Sequence, residues 1–135
     1  MFWSMSANNR IVSIVDDDLS TTRLFHEALS ENIDSVNVVS FTDPLIALEH
    51  FRDNKDAYAV VIADLRMPGL NGLELLKKVK TSNPKVRTIL MSAYNFEKEE
   101  LYQQYMEEGV INSTIEKPVT MNSLYQRVRD QLDVN

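Results

Sequence analysis

The sequence predicts an α/β fold, a (βα)5 doubly wound parallel sheet of five strands, and three observations predict it. Five apolar, partly β-branched runs of strand length lie at 11–15, 36–41, 58–63, 86–91 and 110–115. Between and after them apolar residues recur at helical spacing, so strand and helix alternate five times. Capping residues stand at several of the changes of period. Such an alternation covers a parallel sheet with helices on both faces.

Taken in order, the first run, 11–15, is almost unbroken in apolarity, as is the third, 58–63. Both are expected as central strands buried on two faces. The first helix carries Leu24, Phe25, Ala28 and Leu29 on its apolar stripe. After the second run, Asp43 and Pro44 supply an N-cap and a proline at the first helical position, ahead of Leu45, Leu48 and Phe51. The third helix, capped by Asn71, presents Leu73, Leu76 and Val79 and ends at Asn83-Pro84, because the residue before proline disfavours the α region. Asn95 is placed to cap the fourth helix, with Leu101, Tyr102, Tyr105 and Met106, and Thr120 the fifth, with Met121, Leu124, Val128 and Leu132.

A chain of 135 residues suits one domain and one core. Residues 10–132 are expected to form it, with 1–9 as a flexible N-terminal tail, 133–135 as a short C-terminal tail and no output domain after it. Hydrophobic residues at 44% and charged residues at 25% exclude disordered and fibrous classes. No cysteine is present, so thiol catalysis, disulfides and thiolate metal sites are excluded. A net charge of −6 argues against nucleic acid as a partner. The start, Met1-Phe2-Trp3-Ser4-Met5, lacks the charged region and apolar length of a signal peptide, and no segment approaches the roughly 20 apolar residues of a membrane span. No membrane insertion and a cytoplasmic location are therefore expected.

In an open parallel sheet the functional crevice lies at the carboxyl ends of the strands. The first strand ends in Asp16-Asp17-Asp18, the third in Asp64, the fourth in Ser92 and the fifth in Lys117-Pro118. Carboxylates crowded at one edge repel one another, and a hard divalent cation among them relieves the repulsion. Mg²⁺ is the natural candidate, with Mn²⁺ as a substitute. Lys117 adds a compact positive charge for an anion and Ser92 a hydroxyl donor. Together these residues describe a phosphoryl site.

At this point the chain resembles the receiver domain of two-component response regulators, over about residues 10 to 132. Four motifs carry the resemblance: Val15-Asp16-Asp17-Asp18 with Arg23; Asp64-Leu65-Arg66-Met67-Pro68-Gly69-Leu70-Asn71-Gly72; Met91-Ser92-Ala93; and Lys117-Pro118. The resemblance implies a flavodoxin-like strand order 2-1-3-4-5 and a phosphoprotein of phosphorelay signal transduction. It implies Asp64 as phosphoacceptor, taking a phosphoryl group from a phosphohistidine donor as an aspartyl phosphate. It further implies Mg²⁺ held by Asp17 directly, Asp16 mostly through water, Asp64, and the backbone carbonyl of Arg66. Ser92 and Lys117 would each bond a phosphoryl oxygen, and the Lys117-Pro118 peptide is expected to be cis. The implied partners are a sensor histidine kinase or histidine phosphotransfer protein and a downstream protein. The implied function is a phosphoacceptor switch that assists its own phosphorylation and dephosphorylation and turns over no separate substrate.

Asp18 is expected as a solvated turn residue, Pro68, Gly69 and Gly72 as shapers of the loop, and His26 and His50 as surface or packing residues. Three positions depart from the family pattern. Thr114, three residues before the lysine, stands where an aromatic switch residue is usual, and the interval from Gly109 to Lys117 is one residue longer than common, which admits a bulge at the fifth strand. Arg66 and Tyr94, two residues after Asp64 and Ser92, flank the implied path of attacking water and are expected to modulate phosphoryl lifetime. The fourth helix, at 96–108 from Phe96 to Glu108, carries Glu97, Glu99, Glu100, Glu107 and Glu108 around Tyr102 and Tyr105; the resemblance implies a signalling face there, with the fifth strand and fifth helix, and its acidity would suit a basic partner. Two further readings stand beside the first: a pseudo-receiver that binds a partner without phosphorylation, and a Mg²⁺-dependent phosphatase of the haloacid dehalogenase type, suggested by Asp-x-Asp at 16–18.

Overall fold

The structure, a computed structural model, describes residues 10–93 and 100–134. Five strands, β1 (Arg10–Val15), β2 (Val36–Phe41), β3 (Tyr58–Asp64), β4 (Arg87–Ser92) and β5 (Ser113–Glu116), alternate with five helices: α1 (Leu19–Asn32), α2 (Pro44–Asp53), α3 (Gly72–Ser82), α4 (Glu100–Glu107) and α5 (Met121–Leu132). The strands are all parallel, in the order β2-β1-β3-β4-β5. This is the doubly wound, flavodoxin-like sheet that the sequence and its resemblance imply.

Alternation along the strands divides the core in two. Val12 and Ile14 of β1 and Val60 and Ile62 of β3 face Phe25 and Leu29 of α1 and Leu124 and Val128 of α5. Val15 of β1 and Val61 and Ala63 of β3 face Leu48 and Phe51 of α2 and Leu73, Leu76 and Val79 of α3, with Tyr102 and Tyr105 of α4 half-buried at the margin. All seven residues of β3 are buried, as a central strand requires. Asp43 caps α2, its Oδ1 accepting from the Leu45 N–H at 2.9 Å with Pro44 in the first turn, and the Thr120 side chain accepts from the Ser123 N–H at α5. The expected cap Asn95 lies outside the described residues.

Three expectations are corrected. The run at 110–115 is strand only from Ser113, and Val86 precedes β4. Val110 and Ile111 are buried, yet their N–H groups both go to the Tyr105 carbonyl, at 2.8 and 3.4 Å, closing α4; Val86 likewise donates into the turn at Asn83. Leu24 and Leu45, expected on the apolar stripes of the first two helices, are 54% and 56% exposed; Ala47 fills the α2 interface in place of Leu45. The extra residue before Lys117 makes no bulge in β5, which pairs with β4 in unbroken register from Ile89↔Ser113 to Ser92↔Glu116. Just before β5, Asn112 Oδ1 accepts the Thr88 N–H at 3.0 Å while the Asn112 N–H donates to the Thr88 carbonyl at 3.1 Å. The ladder irregularity falls instead between β1 and β3: Ile11 faces Tyr58 but Val12 faces Val60, so Ala59 is passed over.

Candidate functional site

The parallel sheet carries the ends of β1, β3, β4 and β5 to one edge, and the residues that terminate them meet there. Backbone bonds fix each stem. The Asp16 N–H donates to the Phe41 carbonyl at 3.1 Å, the Leu65 N–H to the Met91 carbonyl at 2.8 Å, and the Lys117 N–H to the Ser92 carbonyl at 2.9 Å. The Lys117-Pro118 peptide is cis. After Asp64 the chain turns through Gly69 at φ +87°, a conformation that favours glycine. It then enters α3 through a capping box, in which the Asn71 side chain accepts from the Glu74 N–H at 2.9 Å and Glu74 accepts from the Asn71 N–H at 3.2 Å. Gly72, the first residue of α3, lies so near β3 that a Cβ there would land on the Asp64 carbonyl oxygen.

One carboxylate oxygen from each of Asp16, Asp17 and Asp64 lies within 4.8 Å of the others. Asp16 and Asp64 are buried, while Asp17 is exposed to the cleft. Lys117 Nζ reaches Asp64 Oδ1 at 2.9 Å and Asp16 Oδ2 at 3.4 Å. The other Asp16 oxygen accepts from the Asp18 N–H at 3.0 Å. Burial raises the Asp64 carboxyl above the ordinary carboxylate range, the charges of Asp16 and Asp17 add to the rise, and Lys117 offsets part of it. Burial alone would lower the Lys117 ammonium, but its hydrogen bond to Asp64 and the charges of Asp64 and Asp16 outweigh this and raise it.

Three carboxylates against one ammonium leave two negative charges, the charge of one divalent cation. Closely spaced hard oxygen donors are what Mg²⁺ prefers, so the residues present suit such an ion. Beside them a pocket of about 160 Å³ is lined by Asp64, Arg66, Ser92, Ala93 and Lys117. Arg66 also lines a neighbouring cleft of about 520 Å³ with Asp17, Met67, Asn71 and Leu101.

The structure thus brings together Asp16, Asp17, Asp64, Ser92 and Lys117, with Arg66 on the rim. Ala93, quoted in a motif but given no role, is in the pocket wall; its place after Ser92 was the available signal. Asp18 points outward, its Oδ2 accepting from the Thr21 hydroxyl at 2.5 Å. Thr114 is half-buried on β5, with β4 between it and Asp64 on β3. His26 Nδ1 meets Ser40 Oγ of β2 at 3.1 Å, and His50 Nδ1 meets the Tyr58 hydroxyl at 2.6 Å, at the amino end of β3. Tyr94, Phe96, Glu97 and Glu99 lie outside the described residues.

The fold and this cluster define a receiver, and comparison with known proteins agrees. The chain belongs to the response regulator receiver domain family, which matches residues 12–129. A two-component response regulator of Arabidopsis thaliana, ARR14, is 33% identical over 81 residues, 60% of this chain and 21% of that protein. Sporulation initiation phosphotransferase F of Bacillus subtilis strain 168 is 27% identical over 124 residues, 92% of this chain and 94% of that one. Among solved structures, a response regulator receiver domain protein from Clostridium thermocellum superposes with a TM-score of 0.82 at 22% identity, covering 92% of this chain and 94% of that chain. The chain spans 20% to 34% of several other curated relatives, which are much longer proteins. No described helix is long and apolar enough to cross a membrane.

Proposed function

We propose that this receiver is a working phosphoacceptor: Asp64 takes a phosphoryl group from a phosphohistidine of a sensor histidine kinase or histidine phosphotransfer protein. The observation that carries the reading is the Asp64–Lys117 contact of 2.9 Å, beside Asp16 and Asp17 and opening on a pocket that includes Ser92. An Asp64 carboxylate oxygen attacks phosphorus, the P–O bond forms as the P–N bond breaks, and the donor imidazole leaves. Lys117, already within hydrogen-bond reach of Asp64, pairs with a phosphoryl oxygen, and Ser92 donates to another. Asp16, Asp17, Asp64 and the Arg66 carbonyl are the groups that would hold Mg²⁺, with Mn²⁺ as a substitute. When bound, the ion neutralises the carboxylates and the charge on the transferred group. Ionised Asp64 is the nucleophile; burial first, and the charges of Asp16 and Asp17 after it, raise its pKa, and a bound cation would favour the ionised form.

In this reading the protein acts in the cytoplasm as a switch, its domain spanning 10–132, and hydrolyses its own phosphoryl group. Arg66 and Tyr94 tune that hydrolysis, so Arg66→Ala and Tyr94→Ala change the phosphoryl lifetime, and truncating the exposed Arg66 costs about 0.5 kcal/mol of stability or less, as surface substitutions do. Equal decay rates in all three proteins would remove that assignment. The downstream partner is basic and docks on the acidic surface of α4 and β5. Thr114 supports one rival, a pseudo-receiver that binds without phosphorylation, because a threonine offers no aromatic to swing.

The test is incubation with Mg²⁺ and acetyl phosphate, followed by mass spectrometry of the intact chain and of Asp64→Asn. One Mg²⁺-dependent adduct, absent from the variant, is expected. No adduct, together with no response to beryllofluoride, would establish the pseudo-receiver. An adduct on Asp16 would establish the phosphatase reading.

A further inference from the structure

At the amino ends of the strands, opposite the phosphoryl site, a second cavity of about 440 Å³ opens. It forms where the β1–β3 ladder passes over Ala59, and its lining includes Arg10, Asp56, Ala59, Asn83 and Lys85. More cations stand around it. Lys55 is tied to it through its carbonyl, which accepts from Asn83 Nδ2 at 3.0 Å, and Lys80 Nζ reaches over the same turn to the Pro84 carbonyl at 3.4 Å. Arg87 begins the adjacent strand, its Nε on Gln131 Oε1 at 2.8 Å.

In a chain of net charge −6, these five cations should readily find carboxylates. None forms an ion pair with a described residue: the described pairs are Lys77–Glu108 and those of Lys117 with Asp16 and Asp64. Asp56, on the cavity wall, is the one carboxylate in its lining. The Lys80 ammonium is pushed down to about 8, first by burial and then by the nearby Arg87 charge. Like charges so placed are unfavourable alone and become favourable around an anion.

We propose that this cavity is a binding site for a small, multiply charged phosphate ligand, with Arg10 and Lys85 as its direct partners. Arginine offers a planar fork of donors to phosphate oxygens and lysine a point charge. The Asn83 amide adds a polar side chain to the wall, and the volume lies in the range of small-molecule pockets. One carboxylate among the cations disfavours a singly charged ligand less than it weakens a multiply charged one, so removing it should strengthen the site. The site is separate from the phosphoryl pocket and stands whether or not Asp64 is phosphorylated.

Amide NMR of the full ¹⁵N-labelled chain, titrated with sodium pyrophosphate in Mg²⁺-free buffer against sodium chloride at matched ionic strength, tests it. Saturable shifts are expected at Ala57, Ala59, Asn83 and Lys85. The double variant Arg10→Gln/Lys85→Gln should weaken binding by about tenfold or more, the loss of charge-assisted hydrogen bonds, and Asp56→Asn should tighten it. Shifts that follow ionic strength alone, that are confined to the Asp64 and Lys117 edge, or that Asp56→Asn leaves no tighter would overturn the proposal.

Discussion

Helices α3 and α4 both flank the Asp64 edge on the same side of the sheet, and they are held there by different means. α3 buries Gly72, Leu73, Leu75, Leu76 and Val79, starts in a capping box, and rests its first residue on the carbonyl of Asp64. α4 buries no residue; Tyr102 and Tyr105 lie half-buried, and Leu101 and Met106 are each 38% exposed. What fastens α4 to α3 is largely superficial: Lys77 meets Glu108 at 3.2 Å and stands 5.6 Å from the centre of the Tyr105 ring. An exposed pair of this kind is worth about 1 kcal/mol or less. The site is therefore framed by one helix that resists displacement and one that yields at low cost, and a change at Asp64 should be expressed in α4.

The largest expected break of this comparison is Leu76→Ala. Truncating a fully buried leucine should cost about 2–5 kcal/mol in urea unfolding, the range for core cavities. Gly72→Ala should follow at about 1–3 kcal/mol, since overpacking must push α3 off β3. Under the function proposed above it should also slow phosphorylation, because the displaced carbonyl belongs to Asp64, the proposed nucleophile. Leu101→Ala on α4 should cost about 0.5 kcal/mol or less. A loss there equal to that of Leu76→Ala would show that the two helices are anchored alike.

Smallest, and opposite in sign, is Asp64→Asn. The folded-state pKa of Asp64 lies above its ordinary value of 3.8, so the folded chain holds this proton more tightly than the unfolded chain. The contribution of Asp64 to stability is thus fully present below that value and is lost as pH rises through the folded-state pKa. The asparagine variant escapes the loss, so without metal it should melt higher than wild type at neutral pH, with the gap closing as the pH is lowered toward 4. Lys117 keeps an acceptor in the amide oxygen. Thermal melts at a series of pH values read this directly, and a variant less stable than wild type at neutral pH would show that the Lys117 pair outweighs the burial of Asp64.

Much of this architecture was legible because its cues are local. The run Val36–Phe41 has the bounds of β2, and Asp43, Asn71 and Thr120 cap the helices they precede, since a short polar side chain before a periodic stripe has few other uses. Asp16, Asp17, Asp64, Ser92 and Lys117 could be gathered because a parallel sheet brings all its strand ends to one edge. Apolarity, by contrast, does not say what a residue is buried against. Val110 and Ile111 are as apolar as a strand but seal the end of α4, and Leu45 has the helical spacing of the core yet lies in solvent. The cations of the opposite edge carry no motif at all. Arg10, Lys55, Lys80, Lys85 and Arg87 are scattered over most of the chain before β5 and meet only through the register of β1, β3 and the turn before β4.

Asn112 has a consequence for where Lys117 is delivered. By giving its side-chain oxygen to the Thr88 N–H and its own N–H to the Thr88 carbonyl, Asn112 serves as its own rung at the mouth of the β4–β5 ladder. A residue paired in this way takes no place in the ladder itself, which runs in phase from Ile89↔Ser113 to Ser92↔Glu116 and so delivers Lys117 beside Ser92.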